Sequence, residues 1–119
     1  MIPIVIDTNV FFSGLYNQDG LERKILDITL ENHTIRLFAP DIFWEEISMV
    51  FEEKLGYKKS EVIRLIKIFE IIKVNFDQYK EKFEEARNHI THESDVHFVA
   101  VGLYLNVPIW SGNIQHFKP

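Results

Sequence analysis

Asp7, Glu46 and Asp95 are the residues whose type and placement could do chemistry together. Each carboxylate lies at or near the end of an apolar segment, and three such groups facing one another repel unless a cation neutralises them. The chain has no cysteine, which excludes disulfides and thiolate metal sites alike. Oxygen ligands from Asp, Glu and Asn then favour a hard cation, Mg²⁺ or Mn²⁺, over zinc. His89, His92, His97 and His116 lack the paired spacing of a zinc motif. Asn113 follows the last apolar segment, and its amide oxygen can ligate a metal or orient a water, although Asn after Gly is also ordinary turn chemistry. Neither a phosphate-cradling glycine loop nor a nucleophile elbow is present, so nucleotide binding and serine hydrolysis have no support.

The elements that must position these acids can be read from periodicity. Ile2 to Ile6 is short, continuous and rich in β-branched residues, as expected of a strand buried on both faces. Asp7 ends it. That aspartate fits a ligand at the carboxyl edge of a sheet and equally a helix N-cap. A helix is expected from about Leu21 to Leu30, a second strand from Thr34 to Ala39, and a helix from about Asp41 to Leu55 that Gly56 stops. On that helix, about 100° per residue places Glu46 beside Phe43 and Val50, at the border of the buried face, and turns Glu45 away.

Ser60 is expected to cap a helix from Glu61 to Ile72 whose apolar residues nearly encircle it. Such a helix is either central to the core or covers a partner. A short strand at Lys73 to Asn75, a charged helix from Gln78 to Asn88, a helix from Ser94 to Leu105 and a strand from Val107 to Ser111 complete the pattern. Asn106 is expected to end the helix before that strand in a left-handed turn. Asp95 begins that helix on the face of Val96, Val99, Gly102 and Leu103, where it could also serve the helix dipole. Strand and helix alternate throughout, which predicts an α/β sandwich around a parallel sheet.

At 119 residues, with 46% hydrophobic and 26% charged residues, the chain is expected to form one domain spanning 1–119. No apolar run reaches the roughly 20 residues that cross a bilayer, and no basic leader precedes an apolar one, so a cytoplasmic protein is expected. A net charge of −5 argues against gripping nucleic acid by electrostatics alone, although a bound divalent ion reverses the local field. Basic residues at Lys58, Lys59, Arg64, Lys67 and Lys73, and at Lys80, Lys82 and Arg87, are interleaved with acids and read as solvated helix faces or as an RNA path.

The strings VIDTNVFFSGL, LFAPDIFWEEI and SDVHFVAVGLYLNVPIWSGN together resemble the PIN domain, including the toxin nucleases of the VapC type. The resemblance spans nearly the whole chain. It implies a three-layer α/β/α sandwich and Mg²⁺- or Mn²⁺-dependent cleavage of RNA, with the family's acids at Asp7, Glu46 and Asp95. Asn113 would add a metal ligand, while Thr8, Asn9 and Ser111 would support the acids. Relatives often carry an acid where this chain has Asn113, and many an Asp where it has His92. The chain also stops soon after WSG, so a final strand of many relatives is expected to be missing. These departures keep a second reading open, a degenerate PIN domain that binds RNA or protein without cutting. The resemblance further implies an antitoxin partner and a homodimer, expected through the apolar helix with Phe69 at its centre.

Overall fold

Ile2–Ile6 forms strand β1, and Val5 and Ile6 are fully buried, as a central strand covered on both faces requires. In this computed structural model, residues 1–90 and 93–111 are described. Helices α1 (Thr8–Tyr16) and α2 (Leu21–Asn32) lead to β2 (Ile35–Pro40), and α3 (Ile42–Leu55) and α4 (Lys59–Ile68) lead to β3 (Ile72–Val74). Helices α5 (Phe76–Tyr79), α6 (Phe83–Arg87) and α7 (Glu93–Leu105) then lead to β4 (Ile109–Trp110), with a 3₁₀ turn at Lys80–Lys82 between α5 and α6.

The sheet is parallel, in the order β3-β2-β1-β4, with Ile4 opposite Leu37, Val5 opposite Ile109 and Phe38 opposite Ile72. Right-handed crossovers fix the layers. The connections from β1 to β2 and from β2 to β3 move the same way, which puts α1 to α4 on one face, and the return from β3 to β4 puts α5 to α7 on the other. The expected three-layer α/β/α sandwich is therefore the observed one. The connection out of β1 runs over one face towards β2, whereas the connection into β4 returns from β3 over the other face, making the β1–β4 junction the switch point where parallel sheets open a crevice. The shared core includes Phe11, Leu37, Phe43, Ile47, Phe51 and Val99.

Several boundaries differ from those read in the sequence. A helix from Thr8 to Tyr16 begins directly after Asp7, where no separate element was expected. Helix α4 starts at Lys59 rather than after a Ser60 cap, because Glu61 reaches back to accept from the Lys58 amide at 2.9 Å. It ends at Ile68, since Glu70 adopts φ +53° and turns the chain into β3. Ile71 and Ile72 thus belong to the turn and the strand, and the nearly all-round apolar helix resolves into two elements. Phe69 is 7% exposed and meets Phe11 edge-on at 5.4 Å. It is a core residue and not the centre of a contact surface. The charged helix expected from Gln78 to Asn88 is broken by the 3₁₀ turn. Gly56 and Asn106 terminate their helices at φ +70° and +58°. His92 and Asn113 lie outside the described residues.

Candidate active site

Asp7 leaves β1 at the switch point, and its amide donates to the Trp110 carbonyl of β4 at 3.3 Å. Its side chain is 3% exposed and doubly held. Oδ1 accepts from the Val10 amide at 2.8 Å, capping α1, and Oδ2 accepts from the Ser111 hydroxyl at 2.6 Å. Its reading as a helix cap is realised through one oxygen, and the same carboxylate also lines a cleft at the carboxyl edge of the sheet. The buried Thr8 hydroxyl donates to Glu46 Oε1 at 3.0 Å, joining the first turn of α1 to the second turn of α3. Glu46 is half-buried and Glu45 exposed, as the helical geometry requires.

A cleft of about 290 Å³ gathers Asp7, Thr8, Asn9, Glu46 and Asp95, with Met49, Val50 and Phe98 as apolar walls. The three acids expected to act together therefore share one space, and Ser111 supports Asp7 from the neighbouring strand. Burial pushes the Asp7 carboxyl up, against the pull of the Ser111 and Val10 hydrogen bonds, and the charge of Asp95 pushes it further. Burial likewise raises Glu46, opposed by the Thr8 hydroxyl and reinforced by Asp95 and Asp7. Glu53 also lines this cleft, although it was not singled out from the sequence. Its signal was the spacing: seven residues after Glu46, it returns to the same helix face.

Among the described residues, no three His, Asp or Glu side chains are gathered closely enough to hold an ion as they stand. The donor set still suits a hard divalent cation, because the cleft offers oxygen ligands and the charge of Asp95 raises the proton affinity of Asp7 and Glu46, a repulsion a cation relieves. A larger, mainly apolar hollow of about 670 Å³ runs along β4, lined by Val99, Leu103, Val107 and Ile109, and among the described residues no carboxylate lines it. Among the described residues no helix is long and apolar enough to cross a membrane.

A parallel sheet with three carboxylates at its switch point defines an α/β/α domain with an acidic cleft at the carboxyl edge. Residues 5–118 match the PIN domain, and the chain belongs to that family. It is 28% identical over 103 residues to an uncharacterized protein of Methanocaldococcus jannaschii, a match covering 78% of this chain and 66% of that protein's length. The fold is similar to that of Mycobacterium tuberculosis VapC20, a toxin that cleaves the sarcin–ricin loop, with a TM-score of 0.63. The structural match covers 94% of this chain and 92% of the toxin at 14% identity.

Proposed function

We propose that this chain is a metal-dependent endoribonuclease hydrolysing RNA phosphodiester bonds, the toxin of a toxin–antitoxin pair acting in the cytoplasm with Mg²⁺ or Mn²⁺. The observation that carries the reading is the convergence of Asp7, Glu46 and Asp95 on one cleft at the sheet's switch point. Membership of the PIN family supports it. The chemistry such an ion supplies when bound is activation of water and neutralisation of charge on the phosphodiester. Asp7, Glu46 and Asp95 would hold the ion, with Asn113 as a further ligand.

The chain's own contribution is positioning. Ser111 and the Val10 amide fix both oxygens of Asp7, and Thr8 fixes Glu46. Asn9, exposed beside them, offers an amide to the substrate or to a water. Asp95 enters from the first turn of α7, on the opposite layer, so the cleft is assembled from both faces of the sheet.

The test is cleavage of single-stranded and structured RNA with Mn²⁺ or Mg²⁺, with EDTA, and with Asp95→Asn. Cutting that stops with EDTA and in the variant is expected. Cutting that survives both overturns the reading. The absence of a tightly gathered group of three acids among the described residues favours a second reading, a PIN domain that binds RNA or protein without cleavage. It predicts RNA binding without products at millimolar Mn²⁺. An antitoxin contact and a homodimer belong to the proposal, through a surface that is not centred on the buried Phe69.

A further inference from the structure

Away from the acids, one buried polar group ties together the two helices that carry Glu46 and Asp95. Tyr79, fully buried at the end of α5, donates its hydroxyl to Asp41 Oδ1 at 3.0 Å, and its hydroxyl oxygen lies 2.7 Å from His97 Nδ1. A phenol has a single proton. With that proton given to Asp41, Nδ1 of His97 must carry the hydrogen of the second bond. The chain of donors thus runs from His97 to Tyr79 to Asp41.

Asp41 is the residue before α3, five positions ahead of Glu46. Its oxygens also accept from the Ile42 amide at 3.0 Å and the Phe76 amide at 3.0 Å, anchoring it to the start of α3 and to the turn after β3. His97 stands two residues after Asp95 on α7, about 200° around the helix. It therefore holds α7 from the side opposite the cleft. Its ring is enclosed by Phe83 at 4.8 Å, Tyr79 at 5.8 Å and Phe76 at 5.9 Å. Burial first, then the hydrogen bond to Asp41 and its charge, raise the Tyr79 hydroxyl, which keeps it a donor across the physiological range.

We propose that the Tyr79 hydroxyl is a positioning group that fixes the separation of Glu46 and Asp95 by bridging Asp41 at the head of α3 to His97 on α7. Its consequence for metal binding and cleavage rests on the nuclease reading above; the bridge itself does not. A hydrophobic contact in its place would let α7 shift on its own face of the sheet relative to the head of α3 on the other, because apolar packing is non-directional. Directed hydrogen bonds in a buried network specify one arrangement.

The chain has no cysteine, so two spin labels report alone. Labels at Glu45→Cys on α3 and Tyr104→Cys on α7, both exposed positions, read the separation of the helices by pulsed electron resonance. Tyr79→Phe keeps the ring and removes the bridge. It is expected to broaden the distance distribution, and to weaken Mn²⁺ binding and lower kcat roughly ten- to hundredfold with KM for RNA unchanged. Val62→Ala, a core cavity in α4, serves as a control of general destabilisation and should leave the distance alone. His97→Phe is expected to reproduce the broadening, and the double variant to add little to it. An unchanged distance in Tyr79→Phe and His97→Phe, or equal broadening in Val62→Ala, overturns the proposal. Should the unaltered protein neither bind Mn²⁺ nor cut RNA, the nuclease reading fails while the distances still decide the bridge.

Discussion

Replacing Asp7 separates its structural role from its chemical one, because Asn and Ala remove the same buried charge but differ in what they leave behind. Asn retains an oxygen for the Val10 amide and is as good an N-cap as Asp. Ser111, which donates to Oδ2 at 2.6 Å, can turn its hydroxyl to accept from the new amide. Ala loses the cap, about 1 kcal/mol, and the Ser111 bond, about 1 kcal/mol for a neutral pair. The cost of burying the carboxylate cancels between the two variants, so Asp7→Ala should be less stable than Asp7→Asn by about 2 kcal/mol. With an unfolding entropy of about 2.1 cal/mol/K per residue, that corresponds to about 8 °C in Tm for a chain of 119 residues. Thermal unfolding followed by circular dichroism in EDTA measures it. In the same buffer Asp7→Asn should melt no lower than the unaltered protein, since it relieves burial and the repulsion of Asp95. Both variants should lose metal-dependent cleavage. Equal melting of the Asn and Ala variants would refute the cap and the Ser111 bond as stabilising contacts, and a sharp drop in Asp7→Asn would refute the claim that the charge is a burden on the fold.

The pH dependence of stability follows from the same acids: Asp7 and Glu46 are raised above ordinary values of 3.8 and 4.5, so the folded chain binds their protons more tightly than the unfolded one. Their contribution is present below those values and is lost as pH rises through the folded ones, so in EDTA the denaturant midpoint should fall across that interval, and Mn²⁺ should restore it. Thr8→Val removes the hydroxyl that holds Glu46 and is expected to cost about 1 kcal/mol in stability while lowering cleavage more than tenfold, roughly; an unaltered rate would show that Glu46 needs no such support. Phe69→Glu buries a charge against Phe11 and should unfold the chain rather than release a folded monomer, which scattering and circular dichroism together distinguish. Gly14→Ala would drive a methyl into the Leu26 side chain in the fully buried contact between α1 and α2, and a loss of about 1–3 kcal/mol is expected from urea unfolding.

Local regularities were legible without the structure. The β-branched run Ile2–Ile6, the Gly56 stop of α3 and the Asn106 turn depend on backbone preferences within a few residues, and each was found where periodicity and capping placed it. The inward turn of Glu46 and the outward turn of Glu45 follow from helix geometry alone. Helix α1 escaped notice because Val10, Phe11 and Phe12 continue the apolar run of β1, interrupted only by Asp7, Thr8 and Asn9, and an apolar run does not by itself distinguish strand from buried helix.

What only the tertiary structure decided is who meets whom across the chain. Ser111 reaches Asp7 over 104 positions because β4 returns to lie beside β1, and Thr8 reaches Glu46 over 38 because α1 and α3 share a face of the sheet. Phe69 passed from an expected contact surface to the core because Glu70, in a left-handed conformation, ends the helix and folds Ile71 inward, which no apolar count along the sequence could register. The amino-acid sequence by itself determined the chemistry available, hard oxygen donors without thiolates, and the faces on which it is carried. Strand order then determined that these donors converge, since a helical or strand period reports only the direction of a side chain relative to its own backbone, and the distance between two such backbones is set by the packing of the whole sheet.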